Sequence, residues 1–355
     1  MRIAQENTRI KRRSRCREYD WAGDKERIAV GVLIMRKSRR SEVSREAGLE
    51  IGLILARSLL KSNHLHYGYW PVGLEVHFTN LLAAQENYAS LLLSRIPTGV
   101  YRVLDVGCGS GQLARMLIDA GRQVDCVSPS PFLNAQARLL LGDRARVFDG
   151  PYDEYETSHR YDLILFSESF QYVDPERSIE KSLRLLAAPG YLLICDFFRK
   201  DVPGKSPIGG GHLLDRLYRT LGAHPLEIVE DLDLTPETAP TLDLADSLLR
   251  DVLHPTIHLG ERLLSDRHPL TTRILKCLFH KRIDKIHSKY FTGNRTGEAF
   301  RKYKSYRLLL CRTAGEGAAA SSEPARSEPL PFDALPPEPR RASMPFHLQL
   351  LEDRS

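Results

Sequence analysis

From residue 101 onward the chain alternates short apolar runs with longer stretches whose apolar residues recur every three or four positions. "YRVLDVG" (101–107), "QVDCVSP" (123–129), "ARVFD" (145–149), "YDLILFSES" (161–169) and "GYLLICDFF" (190–198) have the length and composition of buried strands. Between them, "SGQLARMLIDAG", "SPFLNAQARLLLG" and "DPERSIEKSLRLLAAPG" have helical spacing. Strand, helix, strand repeated in this way predicts an α/β fold: a doubly wound, mostly parallel sheet covered on both faces, with ligands bound at the carboxyl ends of the strands. "EVSREAGLEIGLILARSLLK" (42–61) predicts a helix ahead of the sheet. The interval 201–300 is longer than the helix and strand this topology needs. It predicts a large helical lid insertion before the last strand. Its loop "GKSPIGGGH" (204–212) reads as flexible and carries Lys205 and His212, and its helices include "LADSLLRDVLH" and "RILKCLFHKRIDKIHSKY".

Composition limits the alternatives. The 355 residues suffice for one large domain, and a hydrophobic content of 42% is enough to build a core. No apolar run approaches the roughly 20 residues that span a bilayer, since the best, "IGLILARSLL", is broken by Arg57. A basic N-terminus without an apolar stretch behind it predicts no secretory signal, and the cytoplasm is the expected location. Six scattered cysteines without a C-x-x-C pair predict reduced thiols and no metal site. Residues 1–48, with "RIKRRSRCR", read as a basic flexible extension, and the Ala, Ser, Glu and Pro rich residues 313–355 as a disordered tail. The domain is expected over 49–312. The net charge of +6 is segregated: twelve Lys and Arg lie in 267–307 against Asp284 and Glu298, and eight acids lie in 227–251 against Arg250. The two blocks could pair with each other, or the basic limb, with Phe279, Tyr290 and Phe291, could make a peripheral membrane contact.

The candidate chemistry begins at "LDVGCGSG" (104–111), which follows a predicted strand and opens a helix. Gly107, Gly109 and Gly111 permit a tight turn and close approach of a ligand to the backbone. The G-x-G-x-G spacing differs from the dinucleotide fingerprint and from the P-loop. Asp105 beside that turn would repel a pyrophosphate and suits a ligand with a cationic amino-acid end.

On "VLDVGCGSG" in this context the sequence resembles the class I S-adenosylmethionine-dependent methyltransferases, over roughly residues 64–312. The resemblance implies a Rossmann-like seven-stranded sheet and S-adenosyl-L-methionine as cofactor. It places Asp105, Gly107, Gly109 and Gly111 at the methionyl part of that cofactor. It also places Ser128, where the family usually has an acid, at the ribose, and Asp149 near the adenine with Tyr152 as a possible ring neighbour. Asp125 should face away from Ser128 by strand alternation. "SESF" lacks the proline pair of base-amino methyltransferases, so a nucleic-acid partner is not expected. Glu168 and Ser169 instead resemble the "E-S" pair of the tocopherol, sterol and small-molecule branch, "LHYGYW" (65–70) resembles its entry segment and "FRKYKSYRLLLCR" (300–312) its closing strand, and Ser167 is a further candidate for cofactor binding.

The resulting expectation is methyl transfer to a small or amphipathic metabolite. Glu168 and His66 are the catalytic candidates. Tyr67 and Trp70 would close over the cofactor, and Tyr172 and His212 would belong to the substrate lid. A cofactor-binding regulatory module without turnover and a nucleic-acid methyltransferase are the alternatives.

Overall fold

The computed structural model describes residues 46–314. The basic cluster at 9–17 and the tail from residue 315 lie outside the described residues. Residues 46–48, assigned above to the extension, already belong to a helix, α1 (46–55), which continues as a wider turn over Ala56–Leu60. An extended segment through Trp70 then leads to α2 (Leu81–Ser94).

Strands and helices alternate from there: β1 (Arg102–Val106), α3 (Gln112–Asp119), β2 (Gln123–Ser128), α4 (Pro131–Leu141), β3 (Ala145–Asp149), β4 (Tyr161–Ser167), α5 (Pro175–Leu185) and β5 (Leu186–Arg199). After them come α6 (Leu214–Gly222), β6 (Leu226–Asp233), α7 (Thr235–Thr238), α8 (Pro240–Ser247), α9 (His254–Arg267), α10 (Pro269–Tyr290), α11 (Gly297–Tyr303) and β7 (Lys304–Thr313). The sheet order is β3-β2-β1-β4-β5-β7-β6, and β7 alone runs antiparallel to its neighbours. The chain leaves β1 toward β2 on one side and enters β4 on the other. The crevice at this reversal is where an open α/β sheet offers a ligand site.

Alternation along the central strands makes two cores. Val103, Leu163, Leu165 and Leu193 pack with α2, α3 and α11, whereas Leu104, Ile164, Phe166 and Ile194 pack with α5 and α6. Helix starts follow local chemistry. The Ser130 hydroxyl accepts the Leu133 N–H at 3.2 Å with Pro131 in the first turn, and the Asp174 carboxylate does the same for Arg177 ahead of Pro175.

Four expectations change. The helix expected to run to residue 190 stops at Leu185, because Leu186 pairs with Tyr161 in the sheet and Pro189 could not extend a helix. The interval 201–300 includes α6 and the edge strand β6, so the insertion proper is α7 to α11. The acids at its start pair with the basic block only through its last residue: Asp231 and Asp233 bind Arg307 on β7, whereas Glu227 and Glu230 bind Arg312 and Arg95 outside it. Finally, the loop 204–212 is tethered. The buried Lys304 ammonium donates to the Gly210 carbonyl at 2.6 Å, and Gly210 and Gly211 pack on Phe197.

Among the described residues no helix is long and apolar enough to cross a membrane, and no group of His, Cys, Asp or Glu could hold a metal ion.

Candidate active site

The glycine turn after β1 and the loop after β4 meet at the sheet's reversal point, and the three glycines have different jobs. Gly107 (φ +80°) faces the Ser169 side chain so closely that a Cβ could not fit, and Ser169 donates from Oγ to the Val106 carbonyl. Its missing side chain therefore admits Ser169, not a ligand. Gly111 (φ +84°) packs on Ala137 of α4. Gly109 (φ +56°) is the one with room, since the nearest atom to its Cβ position is a Leu65 methyl at 3.8 Å. Leu65 belongs to the segment that crosses the turn, which Ser110 ties down by donating to the Asn63 carbonyl.

Asp105 lies beneath this turn, 1% exposed, and its Oδ2 has no hydrogen-bond partner. Burial raises its pKa to about 7. An uncompensated buried carboxylate costs stability, and a cationic group placed against it would remove that cost.

Ser128 is buried at the end of β2, where its hydroxyl accepts the Ser130 N–H at 3.3 Å. A carboxylate is nevertheless present there. Glu46 of α1 accepts from the Ser130 hydroxyl at 2.6 Å and from the Phe132 N–H at 3.2 Å, both on Oε1. Arg57 extends the same docking by donating to Gln136 of α4 at 2.6 Å. Asp149, opposite Ser128 on β3, is held by Asn134 (2.7 Å) and Arg138 (2.8 Å), which lower its pKa, Arg138 most. Its visible work is to clamp α4. Tyr152 is a core residue bonded to Ser182, not a ring neighbour of a ligand. Asp125 faces elsewhere, as alternation required, and binds Arg146 and Tyr161.

Glu168 anchors the other half of the site. Its backbone is left-handed (φ +54°), a costly conformation for a residue with a side chain, so the fold holds it there. Tyr306 donates from its hydroxyl to Oε1 at 2.6 Å, and the Tyr67 N–H reaches the same oxygen at 2.7 Å. Burial raises the Glu168 pKa to about 7 despite both bonds. The Tyr67 ring stacks on Phe197 at 6.2 Å and lies 5.9 Å from both Phe300 and Tyr306, which makes an apolar wall beside the carboxyl group. Ser167 bonds to the Tyr88 hydroxyl at 3.0 Å, and that hydroxyl lies 3.2 Å from Tyr306.

Two aromatic-segment assignments are corrected. His66 has both ring nitrogens engaged, one against His64 (2.8 Å) and one against the Tyr67 carbonyl (2.8 Å), and burial lowers its pKa to about 3. It is a neutral structural link, not a base. Trp70 donates its indole N–H to Thr241 of α8 at 3.0 Å, so it pins the entry segment to the insertion instead of lying on the glycine turn. His212 reaches the Phe170 carbonyl at 3.2 Å, and Tyr172 is 60% exposed.

Sequence reasoning missed Glu46, Tyr88, Tyr306 and Asp196. Asp196, at the carboxyl end of β5, is fully buried and takes N–H bonds from Gln171 and Phe197; burial raises its pKa to about 8. A lone acid in the apolar run "ICDFF" was the available signal.

Residues 76–229 match the family model of a methyltransferase domain. Over that stretch the chain is similar to methyltransferase domains. An uncharacterized methyltransferase of Staphylococcus carnosus is 34% identical over 116 residues, which is 31% of this chain and 54% of that protein. The chain thus spans about half the length of this curated relative. Among solved structures, a putative sarcosine dimethylglycine methyltransferase from Galdieria sulphuraria superposes with a TM-score of 0.54 at 18% identity, covering 74% of this chain and 98% of that one. The [4+2]-cyclase SpnF superposes with a TM-score of 0.53 at 20% identity, covering 75% and 96%. These similarities establish the methyltransferase fold around the site.

Proposed function

We propose that this methyltransferase domain transfers a methyl group from S-adenosylmethionine to a small or amphipathic metabolite. The observation that carries the reading is the buried, unpartnered Asp105 oxygen beneath the open Gly109 turn. The residues fit the cofactor: Asp105 would take its ammonium group, and Gly109 leaves space for its approach. Ser128 together with Glu46 would face its ribose. When bound, the cofactor supplies an electrophilic methyl on sulfonium sulfur, which transfers in-line to a nucleophile held nearby.

What the chain's residues contribute is position, dryness and a proton acceptor. Tyr67, Phe197, Phe300 and Tyr306 wall the site against water. Glu168, fixed by Tyr306 and the Tyr67 N–H and poised near pH 7, would accept a proton from a hydroxyl or carbon acceptor at its carboxylate. Asp196 would steady the neighbouring loop through Gln171.

Incubation with labelled cofactor and a metabolite extract identifies the acceptor. With that acceptor, Glu168→Gln should lower kcat by about 100-fold or more and remove the rise of rate with pH through about 7. Full activity with an unchanged pH profile would take Glu168 out of the reaction.

A further inference from the structure

The insertion presents a surface that the active site does not use. α9 and α10 form an antiparallel hairpin: His254 packs on His287 and Phe291 at its base, Glu261 meets Lys276 at 3.4 Å halfway, and the chain turns at His268. Between Val252 and Ile286, twelve large apolar side chains are at least 41% exposed. On α10, Leu270, Ile274 and Leu278 recur at intervals of four, with exposures of 76%, 58% and 70%, and the following turns carry Lys281, Arg282 and Lys285. Scattered exposed apolar residues need no explanation, but twelve gathered on one hairpin do.

Charge decides what covers it. Residues 254–290 hold eight Lys and Arg against three Asp and Glu, and the ion pairs among the described residues of this hairpin use one carboxylate, Glu261. A second copy would set the same positive excess against itself. An anionic bilayer offers an apolar layer and phosphates together, and neither helix is long and apolar enough to cross it.

We propose that the α9–α10 hairpin docks this protein on an anionic phospholipid surface. The hairpin follows α8, whose Thr241 accepts bonds from Gly68 and Trp70 of the entry segment, so docking would hold the segment that crosses the glycine turn near the bilayer. An amphipathic acceptor could then reach the site without crossing water. The docking itself does not depend on methyl transfer, and its test reads lipid binding alone.

The test is co-sedimentation of the full chain with phosphatidylcholine vesicles, with and without phosphatidylglycerol, at low and high salt. Binding should require phosphatidylglycerol and weaken as salt rises. Replacing Lys281, Arg282 and Lys285 together by Gln should weaken the partition on the order of 100-fold, about 1 kcal/mol for each charge lost near an anionic surface. Ile274→Ser with Leu278→Ser should also release the protein, with an unchanged melting temperature showing that the fold persists. Binding that survives both sets of substitutions would assign it to the basic segment at 9–17 and overturn the proposal. Absence of binding to either vesicle, or a concentration-dependent dimer that the same substitutions dissolve, would overturn it as well.

Discussion

The hydroxyl of Ser128 is committed to its own helix start, and the carboxylate beside it comes from Glu46, 84 positions before Ser130. A serine accepts one bond well, whereas a carboxylate can take both hydroxyls of a diol. The expected consequence is a division of labour at the ribose. Glu46→Gln should weaken S-adenosylmethionine binding by roughly 10-fold, the worth of one charge-assisted bond of about 1.5 kcal/mol. Ser128→Asp should restore most of that loss in the Glu46→Gln background but add little to the wild type, where two carboxylates would crowd. Calorimetric affinities for the four proteins check this, and an unaffected Glu46→Gln would return Glu46 to a purely helix-docking role. Asp105 was legible because an acid beside a glycine turn is visible in "LDVGCGSG". Glu46 was not, because its partner lies across a tertiary contact that no local pattern encodes.

At the scale of elements, strand and helix periodicity read correctly wherever both faces of the sheet are covered. It failed at the α5–β5 junction, where "LLAAPG" has no β-branched residue and sheet pairing overrode helical spacing. It also placed the charge pairing only in part, since Arg307 is the one residue of the basic block that the β6 acids reach. The acids of β6 lie on an edge strand and find arginines across the strands and on the neighbouring α2 end, while the basic residues of α10 lie out on the hairpin. The Glu168 turn shows the same limit. "SES" marked the residue, but the closing strand that brings Tyr306 onto its carboxyl group is 138 positions away. Tyr306→Phe should raise the Glu168 pKa, since the lost bond favours the charged form, and should move the pH–rate profile upward. A profile that stays in place would detach Tyr306 from the reaction.

For the whole molecule, the site stores unfavourable charge. Burial raises Asp105 and Glu168 to about 7 and Asp196 to about 8, so the folded chain holds protons that the unfolded chain has released. Their contribution to stability is full below about pH 4 and is lost as pH rises through 7 and 8. His64 and His66, lowered to about 4 and 3 by burial, act in the opposite direction, but only below their unfolded value of 6.5. Lys304, lowered to about 8, acts in that same opposite direction only above pH 8. Between pH 6.5 and 8 the carboxylates act alone, and the protein without cofactor should lose stability on the order of 2 to 3 kcal/mol. Denaturant unfolding across that window checks the slope, and Asp196→Asn should flatten it.

That stored cost is what the cofactor is expected to relieve, and one titration tests it. S-adenosylmethionine is titrated calorimetrically near pH 7 into the wild type and Asp105→Asn, in two buffers of different ionisation heat. Relief of Asp105 by an ammonium group predicts binding with proton release in the wild type, at least about 10-fold weaker binding in the variant, and no proton release there. A folded wild type that gives no binding at any accessible concentration, or a variant that binds as tightly as the wild type, would contradict the account.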